Sequence, residues 1–107
     1  AVQGAHVQIA RIGGGHALMP KVVGTGCALG ALVAAYLAAG RALGAVPLAG
    51  DFAATVAAHA HFAMAAGVAG ARAAGPGSFQ VAFVDALHAL NAGDLARADV
   101  QLETRAL

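Results

Sequence analysis

One cysteine, no tryptophan and only three prolines leave this chain few covalent or rigid fixtures. A lone Cys27 excludes an internal disulfide framework and any multi-cysteine zinc site, and a reduced, cytoplasmic setting is the expectation. Charge is equally scarce. Charged residues make up 10% of the chain, the formal net charge is +1, and no basic run occurs. No nucleic-acid partner is therefore expected, and aromatic residues at 5% supply no set of base-stacking rings. The opening segment has no basic stretch followed by an apolar core, so no secretory signal is expected. The chain starts at Ala1 rather than Met, which reads as a processed chain or a fragment.

What the chain does have is apolar and small. Hydrophobic residues account for 60% of its 107 positions, an unusually high share, and many are alanine. Alanine buries little area but favours helix and lets helices approach closely. Residues 22–40 form an uncharged run of 19 between Lys21 and Arg41, the minimum for a membrane span. Three features argue against a membrane. The run opens on two glycines and a threonine, so its helix starts near Thr25 and is too short. Leu29, Leu32, Val33, Tyr36 and Leu37 make one stripe instead of an all-round apolar surface. The second apolar run, "DFAATVAAHAHFAMAAGVAGAR", carries two histidines, which are costly in hydrocarbon.

The chain reads as a strand followed by helices. β-branched residues at Val7, Ile9 and Ile12 predict a strand over 6–12, with Gly4 before it marking the tail of an earlier hairpin. Pro20 rules out a central strand in "ALMPKVV". A first helix is expected over 25–39, ending at Gly40, and a second over 52–73 with Asp51 as N-cap. A third is expected over 79–91, capped by Ser78, with Phe79, Phe83, Leu87 and Leu90 as its buried stripe. Asp94 suggests a weaker last helix through "LARADVQLE". One strand and three or four helices cannot bury both faces of a sheet, so the chain reads as part of a larger α/β layer structure.

The segment "KVVGTGCALGALVAAYLAAGR" (21–41) holds the chemistry. Gly24 and Gly26 allow unusual backbone angles and close approach of a ligand. The helix that follows presents unpaired N–H groups and the positive end of its dipole, which suits an anion or a transferring phosphoryl group. Cys27 lies in the first turn, where the same field favours thiolate, and it could serve as a base toward a hydroxyl. From position alone, a small buried apolar role fits Cys27 equally well. A dinucleotide loop would use Gly24, Gly26 and Gly30, but it needs a preceding strand and an acid about 20 residues on. Neither is present, because Asp51 comes too late and helix lies between.

Two motifs then resemble those of the hydroxyethylthiazole kinases, members of the ribokinase-like superfamily. They are "HALMPKVVGTGCALGALVAAYLAAG" (16–40) and "AAGPGSFQVAFVDALHAL" (73–90). Order and spacing both agree, and the resemblance covers the chain as the mostly helical C-terminal part of one such domain. Ala17 and Pro20 depart from the family's usual proline and threonine, and Pro20 removes a backbone donor near the site.

The resemblance implies ATP- and Mg2+-dependent phosphorylation of the hydroxyl of 4-methyl-5-(2-hydroxyethyl)thiazole, a salvage step toward thiamine. It implies that Gly24 contacts the thiazole alcohol and that the amides of Thr25, Gly26 and Cys27 form an anion hole. Cys27 stands where related sugar kinases carry an aspartate base. A homotrimer with active sites between subunits is also implied for the full-length protein, with the remaining ATP, Mg2+ and thiazole contacts on its N-terminal half. The rival classes are a non-catalytic helical packing module and a membrane-associated one.

The other histidines fit the frame. His59 and His61, two apart on a helix, face different ways and make a poor metal pair. His16 fits either the site or its loop scaffold, and His88 and Met19 are expected to pack. Phe62, Met64 and Val68 spread around the second helix, which predicts burial on several sides.

Overall fold

The β-branched residues Val7, Ile9 and Ile12 favour the first strand, β1, over His6–Ile12. In the computed structural model, which describes residues 6–44 and 47–106, a 3-10 turn at Met19–Lys21 follows. Next come α1 (Thr25–Ala42), α2 (Pro47–Arg72), α3 (Pro76–Ala89), the single turn α4 (Ala92–Leu95) and β2 (Val100–Ala106). The expected mixed, mostly helical α/β arrangement holds.

The last element differs from the expectation. Residues 100–106 form a strand, not a helix, and pair antiparallel with β1 from His6↔Ala106 to Ile12↔Val100. The physical reason is long-range. The ladder pairs one edge of β1, and Glu103 on β2 sits 2.7 Å from Arg11 and 3.2 Å from Arg105. Gly13 N–H continues the pairing to the Asp99 carbonyl at 2.9 Å. The partner of β1 therefore lies at the other end of the chain; Gly4, where an earlier hairpin was expected, lies outside the described residues.

Helix ends also move. Gly40 stays inside α1, which runs on to Ala42 and gives way to Gly44 at φ +79°. Arg41 in the last turn reaches Asp51 at 3.0 Å, and this hydrogen bond raises the guanidinium pKa. Asp51 is thus spent on a pair with α1 within α2, which begins at Pro47, and is not an N-cap. Ser78 is the third residue of α3, whose N-cap is Gly75. Its hydroxyl still does capping work, accepting from the N–H groups of Ala74 (2.9 Å) and Gly75 (3.2 Å). Asn91 and Asp94 form a reciprocal cap at α4. Asn91 N–H, then Arg97, lower the Asp94 pKa.

α2 is the central helix, packed between α1 and α3 and touching β1. Six of the eight buried hydrophobics among the described residues are alanine, and five of these lie on α2. These small side chains let the aromatic face of α3 sit close. Phe79 (0% exposed) stacks on Phe83 with centroids 5.9 Å apart, and Phe62 of α2 meets Phe83 edge-on at 5.1 Å. Leu87, Leu90, Phe62 and Val68 border this cluster half-buried, whereas His88, expected to pack, is exposed.

Polar ties span the helices. Tyr36 of α1 and His61 of α2 are 3.0 Å apart, and His61 Nε2 is 2.9 Å from the Leu87 carbonyl of α3. Because a carbonyl only accepts, Nε2 carries the proton and Nδ1 receives the Tyr36 hydroxyl. Burial raises the Tyr36 pKa. His59 turns instead to its own helix, donating Nδ1–H to the Thr55 carbonyl at 2.8 Å.

Much apolar surface remains uncovered. α1 buries no residue completely, and an apolar cleft of about 290 Å³ separates Phe52 and Val56 from Val100 and Leu102. The radius of gyration is 15.2 Å, above the roughly 13 Å of a compact domain this size. By length and composition, Thr25–Ala42 and Ala49–Arg72 could each cross a membrane; the second is 39% buried inside the fold and the first 0%.

Candidate functional site

The site is built on the chain's entry into α1. Pro20 falls in the first turn of the 3-10 segment, where a missing N–H is tolerated. Val22 is extended (φ −117°, ψ 134°), and it packs with Ala28 against the Phe79–Phe83 cluster. Between these two anchors the chain turns through Gly24 at φ +94°, ψ −1°. A Cβ there would meet nothing within 4 Å, so glycine is required by the left-handed backbone and not by crowding.

Gly24 is also the N-cap of α1, and it has no side chain to bond the first-turn amides. The first helical hydrogen bond runs from Ala28 N–H to the Gly24 carbonyl at 2.9 Å. The N–H groups of Thr25, Gly26 and Cys27 lie ahead of it, at the positive end of an 18-residue helix. Thr25 is half-buried, while Gly26 and Cys27 are exposed. The Cys27 thiol is free and exposed, so it is not the small buried core residue that position alone also allowed.

The second motif arrives at the same place. Gln80, near the start of α3, donates its side-chain N–H to the Val23 carbonyl at 3.4 Å. Gln80, Phe83 and Val84 line a small cleft of about 60 Å³ with Val22 through Thr25 and Ala28. Sequence reasoning singled out Gly24 through Cys27 and missed Gln80. Its only signal was its place directly after "GPGSF".

His16 belongs to the scaffold. Its Nδ1 accepts from Leu18 N–H at 3.1 Å, and its ring stacks on Phe79 with centroids 5.7 Å apart. The ring fills the space a Cβ on Gly70 would take. Gly70→Ala should therefore destabilise the fold by about 1–3 kcal/mol. His16→Ala in the same chain should relieve most of that loss, a coupling that denaturation of the four cycle members would measure. Met19 packs against the aromatic cluster, as expected.

Among the described residues, no three His, Cys, Asp or Glu side chains converge in a way that could hold a metal ion. This stretch offers backbone donors and an exposed thiol.

Comparison with known proteins adds to this geometry. The model of the Hydroxyethylthiazole kinase family matches residues 2–93. A hydroxyethylthiazole kinase of Rhodococcus erythropolis is 48% identical over 101 residues, covering 94% of this chain and 33% of that protein. One from Cereibacter sphaeroides is 52% identical over 87 residues, 81% of this chain and 30% of its own length. A third, from Kineococcus radiotolerans, is 48% identical over 95 residues, 89% of this chain and 31% of the relative. The chain thus spans about a third of the length of the curated relatives it matches. No solved structure matches it. With a family match running through both glycine motifs and a helical α/β architecture suited to part of a ribokinase-like fold, the chain belongs to the hydroxyethylthiazole kinase family.

Proposed function

We propose that this chain is the C-terminal segment of a single kinase domain that moves the γ-phosphate of ATP to the hydroxyl of 4-methyl-5-(2-hydroxyethyl)thiazole. The observation that carries this reading is the left-handed Gly24 cap, which leaves the Thr25, Gly26 and Cys27 amides open beside an exposed thiol. Phosphoryl transfer rests chiefly on positioning and charge stabilisation, and open amides at a helix N-terminus supply both.

Each residue has a part. Gly24 lies against the substrate alcohol. The amides of Thr25, Gly26 and Cys27 stabilise charge on the transferring phosphoryl group. Cys27 Sγ takes the hydroxyl proton while the alcohol oxygen bonds to the γ-phosphorus and the bond to the β-phosphate oxygen breaks, releasing ADP. Mg2+, when bound, would neutralise phosphate charge; we assign its ligands to the rest of the domain, and no step here runs through it. The product is a thiazole phosphate ester for thiamine salvage. A cytoplasmic homotrimer is the setting we propose for the complete protein, without nucleic-acid or membrane partners.

A chain that leaves α1 without one buried residue and spans about a third of its relatives' length should not turn over alone. The test is phosphorus NMR of reactions containing Mg-ATP and the thiazole alcohol. The complete reading frame should yield a new phosphate monoester, and the 107-residue chain should yield none. No ester from the complete frame would refute the assignment. The length and apolarity of α1 also suit a membrane-associated helix; partition of the complete protein into lipid vesicles would favour that second reading.

A further inference from the structure

The turn ahead of α1 is oddly unsupported for a site that must hold its donors still. Val23 has 89% of its surface exposed, so its side chain anchors nothing. Gly24 has no side chain, and Gly26 has open space where a Cβ would be. Val22 on one side and Ala28 on the other are packed into the aromatic cluster, but the five residues between them are not. Across that gap a side-chain hydrogen bond reaches in from α3: Gln80 Nε2 to the Val23 carbonyl, 3.4 Å, bridging 57 positions of sequence.

We propose that Gln80 is a positioning residue, whose carboxamide pins the Val23 carbonyl and so holds the Gly24 turn and the amides of Thr25, Gly26 and Cys27 in register for the phosphoryl group. The Val23 carbonyl belongs to the peptide that joins Val23 to Gly24. Fixing its direction fixes the plane from which the left-handed Gly24 starts, and with it the direction of the first helical amides. The glycines that make the turn adaptable also make it loose, and preorganised donors accelerate transfer only if they stay aimed. The same contact explains how the "GPGSF" segment, remote in sequence, acts on the first motif. Phe79 and Phe83 carry the floor under Val22 and Ala28, and Gln80 on the next residue reaches over to the turn.

This proposal rests on the kinase reading, and the test separates the two. In the complete reading frame, Gln80→Met keeps side-chain length and removes the donor, while Gln80→Lys restores one. Position 80 is exposed, so neither change should shift the melting temperature. Gln80→Met is expected to lower kcat about three- to tenfold, the range of one lost neutral hydrogen bond. KM for ATP and for the thiazole alcohol should stay within about twofold, and Gln80→Lys should regain most of the rate.

Hydrogen–deuterium exchange of the peptide covering residues 22–30 gives a readout that needs no activity. Ala28 N–H, bonded to Gly24, should exchange faster in Gln80→Met. Wild-type kcat and exchange in Gln80→Met would overturn the proposal. So would equal losses in both variants that track a lowered melting temperature. If the wild-type protein released no thiazole-dependent ADP, the kinase reading would fall, and the exchange result alone would decide the role of Gln80.

Discussion

Cys27→Ala in the complete protein is expected to lower kcat by about 10²–10⁴-fold, the usual contribution of a positioned general base. The mutation should leave the fold alone, because Cys27 is exposed and lies outside the aromatic cluster. It also leaves untouched the backbone amides proposed to stabilise the phosphoryl group, so binding of ATP should change little. Cys27→Asp should keep substantial activity, since a carboxylate at the same first-turn position can take the hydroxyl proton and gains from the same helix dipole. Steady-state turnover of the three proteins, with melting curves to verify folding, measures the effect. Equal kcat for Cys27→Ala and wild type would remove the base from Cys27 and leave only the anion hole.

The second large effect is on stability. Phe79→Ala should cost about 3–5 kcal/mol, the range for deleting a buried aromatic ring. The side chain is fully buried, and it links elements that few other residues link. One neighbour is Phe83 at 5.9 Å, and another is His16 of the loop at 5.7 Å. Its cluster also takes in Val22 and Ala28, which bracket the Gly24 turn. Urea unfolding should therefore show a large drop in midpoint, and catalysis should suffer beyond the lost stability because the floor of the site is gone. A shift of under about 1 kcal/mol would mean that the cavity collapses freely, and that the alanines of α2 are looser than they look.

The sequence carried much of this, unevenly. β1 and the start of α1 at Thr25 were legible because both rest on local chemistry: β-branched residues in one case, a glycine that must turn left-handed in the other. Phe79 and Phe83 were legible as a four-residue helical repeat. The helix limits were not. Asp51 and Gly40 look like a cap and a stop when read alone, but in the fold both lie inside helices, and Asp51 pairs with Arg41 at the end of α1. β2 was read as helix because its partner strand lies about ninety residues away, and its pairing with β1 depends on that long-range ladder.

At the site, Gly24, Thr25, Gly26 and Cys27 stood together in one motif and remain together in the fold. Gln80 and the Tyr36–His61–Leu87 bridge depend on which helices meet, and spacings of 57, 25 and 26 residues announce nothing. Their legibility required the helix packing itself.

The most direct measurement is ADP release by the complete reading frame with Mg-ATP, in the presence and absence of hydroxyethylthiazole. The account predicts release that depends on the thiazole alcohol and falls by orders of magnitude in Cys27→Ala. Release that is indifferent to the alcohol, or none at all from a folded protein, would contradict it.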